Sequence, residues 1–247
     1  MLRLKIIACD VLNREISYLA SQSKNYTDVT FMSQGLHNTP DKLREMVQAE
    51  VDKANGDFPY NYYNTCPKYD YIILGYGLCS NGVVGITSKS VPMIIPRAHD
   101  CITLLMGSKE LYKTTFEENP GTYWFSGGWI ERGWQPSRIK FETLLEDYTQ
   151  RYGEDNAEFL VEMEQNWVKE YKRAGLITWD CFNNNEYYRD FTKNSSEFLG
   201  WDFMEFEGSR ALMENILNGQ FNDHEVLVVP PGSAVNASYD GDIIKKT

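Results

Sequence analysis

Tyr71-Ile72-Ile73-Leu74-Gly75-Tyr76-Gly77-Leu78-Cys79 runs from a continuous apolar stretch straight into a glycine-punctuated turn that carries a thiol. An unbroken β-branched and aliphatic run of this length is the pattern of a strand buried on both faces, as in the middle of a parallel sheet. Working outward, residues 4–8 read as a first strand, 11–20 as a helix and 29–32 as a second strand. Thr39 and Pro40 supply an N-cap and a first-turn proline for a helix running to about residue 54. A fourth strand is expected at 91–95, with Pro92 marking either an edge position or the strand's entry. Residues 55–69, rich in Tyr, Asn and Pro, read as a surface loop.

This alternation of short apolar runs with helical periodicity predicts an α/β protein: a Rossmann-like open, mostly parallel sheet with helices on both faces. The second half is less regular. A strand is expected at 122–125, followed by the glycine-broken segment 127–134, readable as a lid or as tryptophans buried on a turn. Helical spacing returns at Phe141, Leu144, Leu145 and Tyr148, and again at Leu160, Met163, Trp167 and Tyr171, with Gly153 as the break. Further strands are expected at 176–179, 202–206 and 226–229, with helices near 184–191 and 208–217. Two packed α/β lobes, 1–120 and 121–247, or one compact domain, account for this order.

Composition narrows the class. Hydrophobic residues make up 42% of the 247, with six Trp, sixteen Tyr and twelve Phe, which excludes a disordered or coiled-coil chain. A net charge of −11 without a basic stripe argues against nucleic acid as partner. Charges interrupt the apolar run at the N-terminus, so it reads as a strand and not a signal peptide. No apolar stretch approaches the ~18 residues that cross a bilayer, so a cytoplasmic location is the expectation.

Five cysteines stand at 9, 66, 79, 101 and 181, with neither Cys-x-x-Cys pairs nor a disulfide-framework spacing. In an open parallel sheet, the loops leaving strand C-termini gather along one edge, where ligands bind. Cys9, His37, Cys79, His99, Cys101 and Cys181 all follow strands and sort to that edge; Cys66 and His224 precede theirs. Three thiolates from separate loops can hold zinc together with a histidine, or a [4Fe–4S] cluster with one iron open. Cys9, Cys79 and Cys101 are therefore the candidate metal ligands, with His99, His37 or Cys181 as further ones. His99 is also a candidate acid or base, and Arg97 a candidate anchor for an anionic substrate or a partner of Asp10 or Asp100.

Around Cys79, the run from Gly75 to Gly82 misses a dinucleotide fingerprint because Ser80 stands where glycine is required. Gly75, Gly77, Ser80 and Asn81 instead read as a loop that lets backbone approach a cofactor, or as a simple tight turn. No Walker loop, Gly-x-Ser-x-Gly elbow or His-Glu-x-x-His element is present.

The runs Ala8-Cys9-Asp10-Val11-Leu12, Gln34-Gly35-Leu36-His37, Gly75 to Cys79, Pro96 to Leu104 and Pro120-Gly121-Thr122-Tyr123-Trp124 together resemble domain-of-unknown-function family 1638. That resemblance implies a setting among anaerobes, beside corrinoid-dependent methyltransferases, and hence a role in or around corrinoid-linked methyl transfer. His99-Asp100-Cys101 with the later Cys181 also resembles the zinc site of thiol-activating methyltransferases, although those enzymes use a barrel that this sequence does not predict. The leading expectation is a zinc or iron–sulfur protein, an enzyme of one-carbon metabolism. The alternatives are a non-catalytic protein that delivers metal or corrinoid to a methyltransferase, with a corrinoid protein or methyltransferase as partner, and a metal-free cysteine-dependent enzyme.

Overall fold

In a computed structural model that describes residues 1–56, 68–133 and 135–247, the chain divides into two compact units, Met1–Lys113 with Ser209–Thr247, and Thr114–Gly208. Cys66, Trp134 and most of the expected surface loop at 55–69 lie outside the described residues.

The first unit opens with β1 (Arg3–Cys9), a 3-10 turn at Asp10–Leu12, and α1 (Asn13–Gln22). β2 (Tyr26–Met32) and α2 (Pro40–Asn55) follow, then β3 (Tyr71–Gly75), β4 (Met93–Pro96) and α3 (Cys101–Met106). Pro40 takes the first helical turn as expected, but Thr39 gives no side-chain cap; its carbonyl accepts from Leu43 N–H instead. The chain leaves this unit within α4 (Lys109–Glu118).

The second unit contains β5 (Thr122–Ser126), α5 (Gly127–Glu131), α6 (Arg138–Tyr152), α7 (Glu154–Glu164), β6 (Arg173–Thr178), α8 (Asn185–Leu199) and β7 (Asp202–Glu207). Its three strands pair in parallel in the order β5-β6-β7. Gly153, at φ 83°, separates α6 from α7 as its sequence position predicts. The expected glycine-broken lid is in its described part a short helix: Ser126 Oγ caps it, and Gly127 lets the Tyr188 ring come where a Cβ would stand 2.7 Å away.

The final segment corrects the expected lobe 121–247. α9 (Ala211–Leu217) and β8 (Val226–Val229) rejoin the first unit, where β8 pairs antiparallel with β4. A hairpin of β9 (Val235–Ala237) and β10 (Ile244–Lys246) completes it. Val226 to Val229 was legible as a strand, but its partner was not, because an antiparallel edge strand carries no local mark of the sheet it joins.

The main sheet has the order β2-β1-β3-β4-β8. Pro92 stands at the entry of β4, which is internal and not an edge, and Pro92 C=O accepts from Ile72 N–H. Register places Ile6, Ile73 and Ile94 side by side on one face. Ile7, Ile72, Leu74, Met93 and Ile95 point to the other, where Leu43, Val47 and Val51 of α2 cover them. Each such side chain, taken wholly out of water, contributes roughly 1.5–3 kcal/mol. The chain steps from β1 to β2 on one side and then to β3 on the other, so strand order reverses between β1 and β3. A crevice at such a reversal is where open α/β sheets bind ligands.

Candidate functional site

Cys9 is the last residue of β1, and Ala8 is in register with Gly75, so Tyr76 leaves β3 level with Cys9 across the reversal. The close pairing of these strands needs the glycine: a Cβ on Gly75 would stand 2.6 Å from Ala8 Cβ. Past β3 the chain runs against the segment leaving β4. Leu78 N–H donates to Ala98 O at 2.8 Å and Cys79 N–H to His99 O at 2.9 Å. Between them Gly77 is pressed onto that backbone, where a Cβ would lie 2.6 Å from Asp100 N and 2.8 Å from Ala98 O. These two glycines therefore permit close packing, Gly75 against the Ala8 side chain and Gly77 against backbone.

Cys79, Ser80 and Asn81 then turn through three consecutive left-handed conformations, φ 46°, 56° and 66°. A left-handed residue other than glycine costs roughly 1–2 kcal/mol, less for asparagine. Such strain clusters at functional sites. The turn is fastened by Gly82 N–H to Cys79 O, by Val84 N–H to Asn81 O, and by Arg44 Nη2 donating to Asn81 O at 3.2 Å. Ser80 and Asn81 are exposed and shape the turn without lining the cavity below.

Cys101 begins α3 directly after its cap. Asp100 Oδ1 accepts from the N–H groups of Ile102 and Thr103 at 3.0 and 3.2 Å, and Tyr112 Oη donates to Asp100 Oδ2 at 3.3 Å. Those bonds lower the Asp100 pKa, but burial outweighs them and holds it above the usual carboxylate range.

Three loops thus bring Cys9, Cys79 and Cys101 to one cavity of about 20 Å³, lined also by Ser33, Leu36, His37, Gly75 and Tyr76. That volume is about what one water-sized occupant needs. All three cysteines are partly buried reduced thiols. Burial, then the neighbouring Cys9, pushes the Cys79 thiol up to about 12 from an ordinary 9.0. Burial, then Cys79, Asp100 and Cys9, holds Cys101 well above its ordinary value. Tyr76 is 3% exposed, and its phenol is raised by burial first and then by Cys9, Cys79 and Cys101. Its hydroxyl has no hydrogen-bond partner among the described residues. The thiols as they stand are not a ready-made coordination set: among the described residues no three His, Cys, Asp or Glu side chains are grouped to hold a metal ion.

The remaining expected residues separate. His37 lines the cavity from the exposed turn after β2. His99 is exposed and absent from the lining; its contribution is the carbonyl that receives Cys79. Among the described residues Arg97 pairs with neither Asp10 nor Asp100. Its Nε donates to Asp223 O at 2.7 Å, and its Nη1 to Asp242 O and Ile244 O at 3.0 and 2.6 Å. Cys181 lies in the second unit, after β6.

Sequence reasoning passed over Tyr76, Ser33 and Leu36. Tyr76 had a signal, since it is the single large side chain between two glycines at the end of the central strand. A larger cavity of about 470 Å³ in the second unit is lined by Phe141, Leu145, Val168, Phe198, Lys140 and Lys169 among others, with no cysteine or histidine among its described lining residues.

The family model described as "Protein of unknown function (DUF1638)" matches residues 31–217. That span is well over half of the chain and includes His37, Tyr76, Cys79 and Cys101. No curated protein and no solved structure was found to match. No helix among the described residues is long and apolar enough to cross a membrane. On the family match, the chain belongs to the DUF1638 family.

Proposed function

We propose that the chain is a metal-binding protein whose centre is the cavity at the β1–β3 reversal, with Cys9, Cys79 and Cys101 as sulfur ligands. The observation that carries this reading is the convergence of three thiols, from three separate strand-end loops, on one cavity. The donor chemistry fits a thiophilic ion, since soft sulfur selects zinc or iron–sulfur over magnesium or calcium. A water-sized cavity suits a single zinc ion better than a cluster, which would need the loops to part. Rotation of the thiols toward a common point would complete the set, with His37, which lines the same cavity, as a candidate fourth ligand.

What the chain's own residues do follows from their setting. Leu78 and Cys79 are tied to the segment leaving β4, which fixes the spacing of the Cys79 and Cys101 loops. Asp100 holds the start of α3 and with it Cys101. The burial that raises the Cys79 and Cys101 thiols leaves room at the centre for about one water-sized occupant. A bound zinc would supply a Lewis acid able to hold a substrate thiol as thiolate. The corrinoid-linked methyl chemistry implied by the family resemblance is a setting in which such a thiolate is a methyl acceptor, and we propose that setting for this site.

A metal-free nucleophilic cysteine is the weaker reading. A reactive thiol needs a lowered pKa, usually from a cation or base beside it. Here Cys79 and Cys101 are raised, and the described lining residues include no lysine or arginine.

The test is metal analysis of protein purified without oxygen, then offered Zn²⁺ or Fe²⁺ with sulfide. We expect about one zinc per chain, lost when Cys9, Cys79 and Cys101 are all changed to Ser. Stoichiometric iron with sulfide would make the centre a cluster. Wild-type protein that neither carries nor takes up metal would overturn the reading.

A further inference from the structure

We infer that Tyr76 is a positioning residue of the same centre, its hydroxyl donating a hydrogen bond to the negative charge gathered there when the site is loaded. The inference rests on the metal reading above. Tyr76 is 3% exposed, lines the thiol cavity, and carries a buried hydroxyl with no partner among the described residues. Buried hydroxyls are almost always satisfied, and an orphan one costs free energy that an apolar replacement of the same shape would avoid. A phenylalanine would fill this position without that cost.

The environment says what the hydroxyl is for. The phenol lines the cavity with Cys9, Cys79 and Cys101 and donates to none of their sulfurs as the thiols now stand. Three thiolates around a divalent ion leave a net negative charge in a buried place. Among the described lining residues there is no lysine or arginine to offset it. An O–H donor that meets a ligating sulfur once the thiols have turned to the ion is the available compensation. Hydrogen bonds of this kind, one step removed from the metal, orient ligands and tune their basicity. The rigid glycine–tyrosine–glycine sequence holds the donor in place: Gly75 packs on Ala8 and Gly77 on the backbone of residues 98–100, so neither neighbour can swing the ring away.

Tyr76→Phe gives opposite effects in the two states. In metal-free protein the variant should melt about 2–4 °C higher, because the orphan hydroxyl is gone and the ring is kept. In metal competition with a chelator it should hold zinc about 10-fold or more weaker than wild type, at unchanged stoichiometry. Cobalt substitution adds a spectroscopic readout, with the sulfur-to-metal charge-transfer bands displaced in the variant. Wild type and variant binding zinc equally would overturn this role while leaving the metal centre standing. A metal-free variant less stable than wild type would also overturn it, because the hydroxyl would then be satisfied. A wild type that takes up neither zinc nor iron would overturn both.

Discussion

At the scale of single residues, the site is defined by thiols that the fold keeps neutral. In metal-free protein the folded chain holds the Cys79 proton up to about pH 12, whereas the unfolded chain releases it near 9.0. The unfolded state therefore binds fewer protons between those values, and stability must fall as pH rises through that window. Chemical denaturation from pH 8.5 upward should show this decline, and Cys79→Ala should make it shallower; equal slopes in the two proteins would contradict the assignment. Loading reverses the balance, since metal ligation requires deprotonated sulfur. Zinc uptake near pH 7 should release about three protons per ion, measurable in weakly buffered solution by calorimetry. Asp100 is the supporting residue whose removal is simplest to read: Asp100→Ala should cost roughly 0.5–2 kcal/mol of thermal stability through the lost cap, and Asp100→Asn, which keeps a side-chain acceptor, less.

At the scale of elements, the thiol loop is held by two opposed features. A Cβ on Gly77 would meet the backbone of residues 98–100, at 2.6 Å from Asp100 N and 2.8 Å from Ala98 O and Asp100 Cα. No flexible side chain can yield, so Gly77→Ala should destabilise by about 1–3 kcal/mol or more and loosen the pairing of the Cys79 and Cys101 loops. Ser80, exposed at φ 56°, is strained instead of crowded. Ser80→Gly relieves a left-handed conformation but adds freedom to the unfolded chain, for a net gain of about 0.5–1 kcal/mol. Denaturant midpoints moving in opposite directions for these two variants would support the geometry; a stabilising Gly77→Ala would refute it. The strand ends that carry the cysteines were legible because a buried parallel strand is written in continuous apolar residues. The left-handed turn was not, since Cys79 and Ser80 carry no glycine to announce it.

At the scale of the whole molecule, the α/β class and most strands of the main sheet follow from periodicity, and the edge rule brought Cys9, Cys79 and Cys101 to one cavity. What sequence could not give was pairing. β8 returns from residues 226–229 to close the first unit, and Arg97, expected at the substrate, clasps the carbonyls of Asp223, Asp242 and Ile244. A charged side chain beside a histidine reads as chemistry until the distant carbonyls it serves are known. Arg97→Ala should accordingly speed amide exchange in β9 and β10 without changing metal stoichiometry; loss of metal alone, with exchange unaltered, would return Arg97 to the site. The central claim, three sulfur ligands around one ion, is tested most directly by X-ray absorption at the zinc edge of the loaded protein. The account predicts a shell dominated by sulfur, with three scatterers at about 2.3 Å, and a shell of nitrogen and oxygen alone would contradict it.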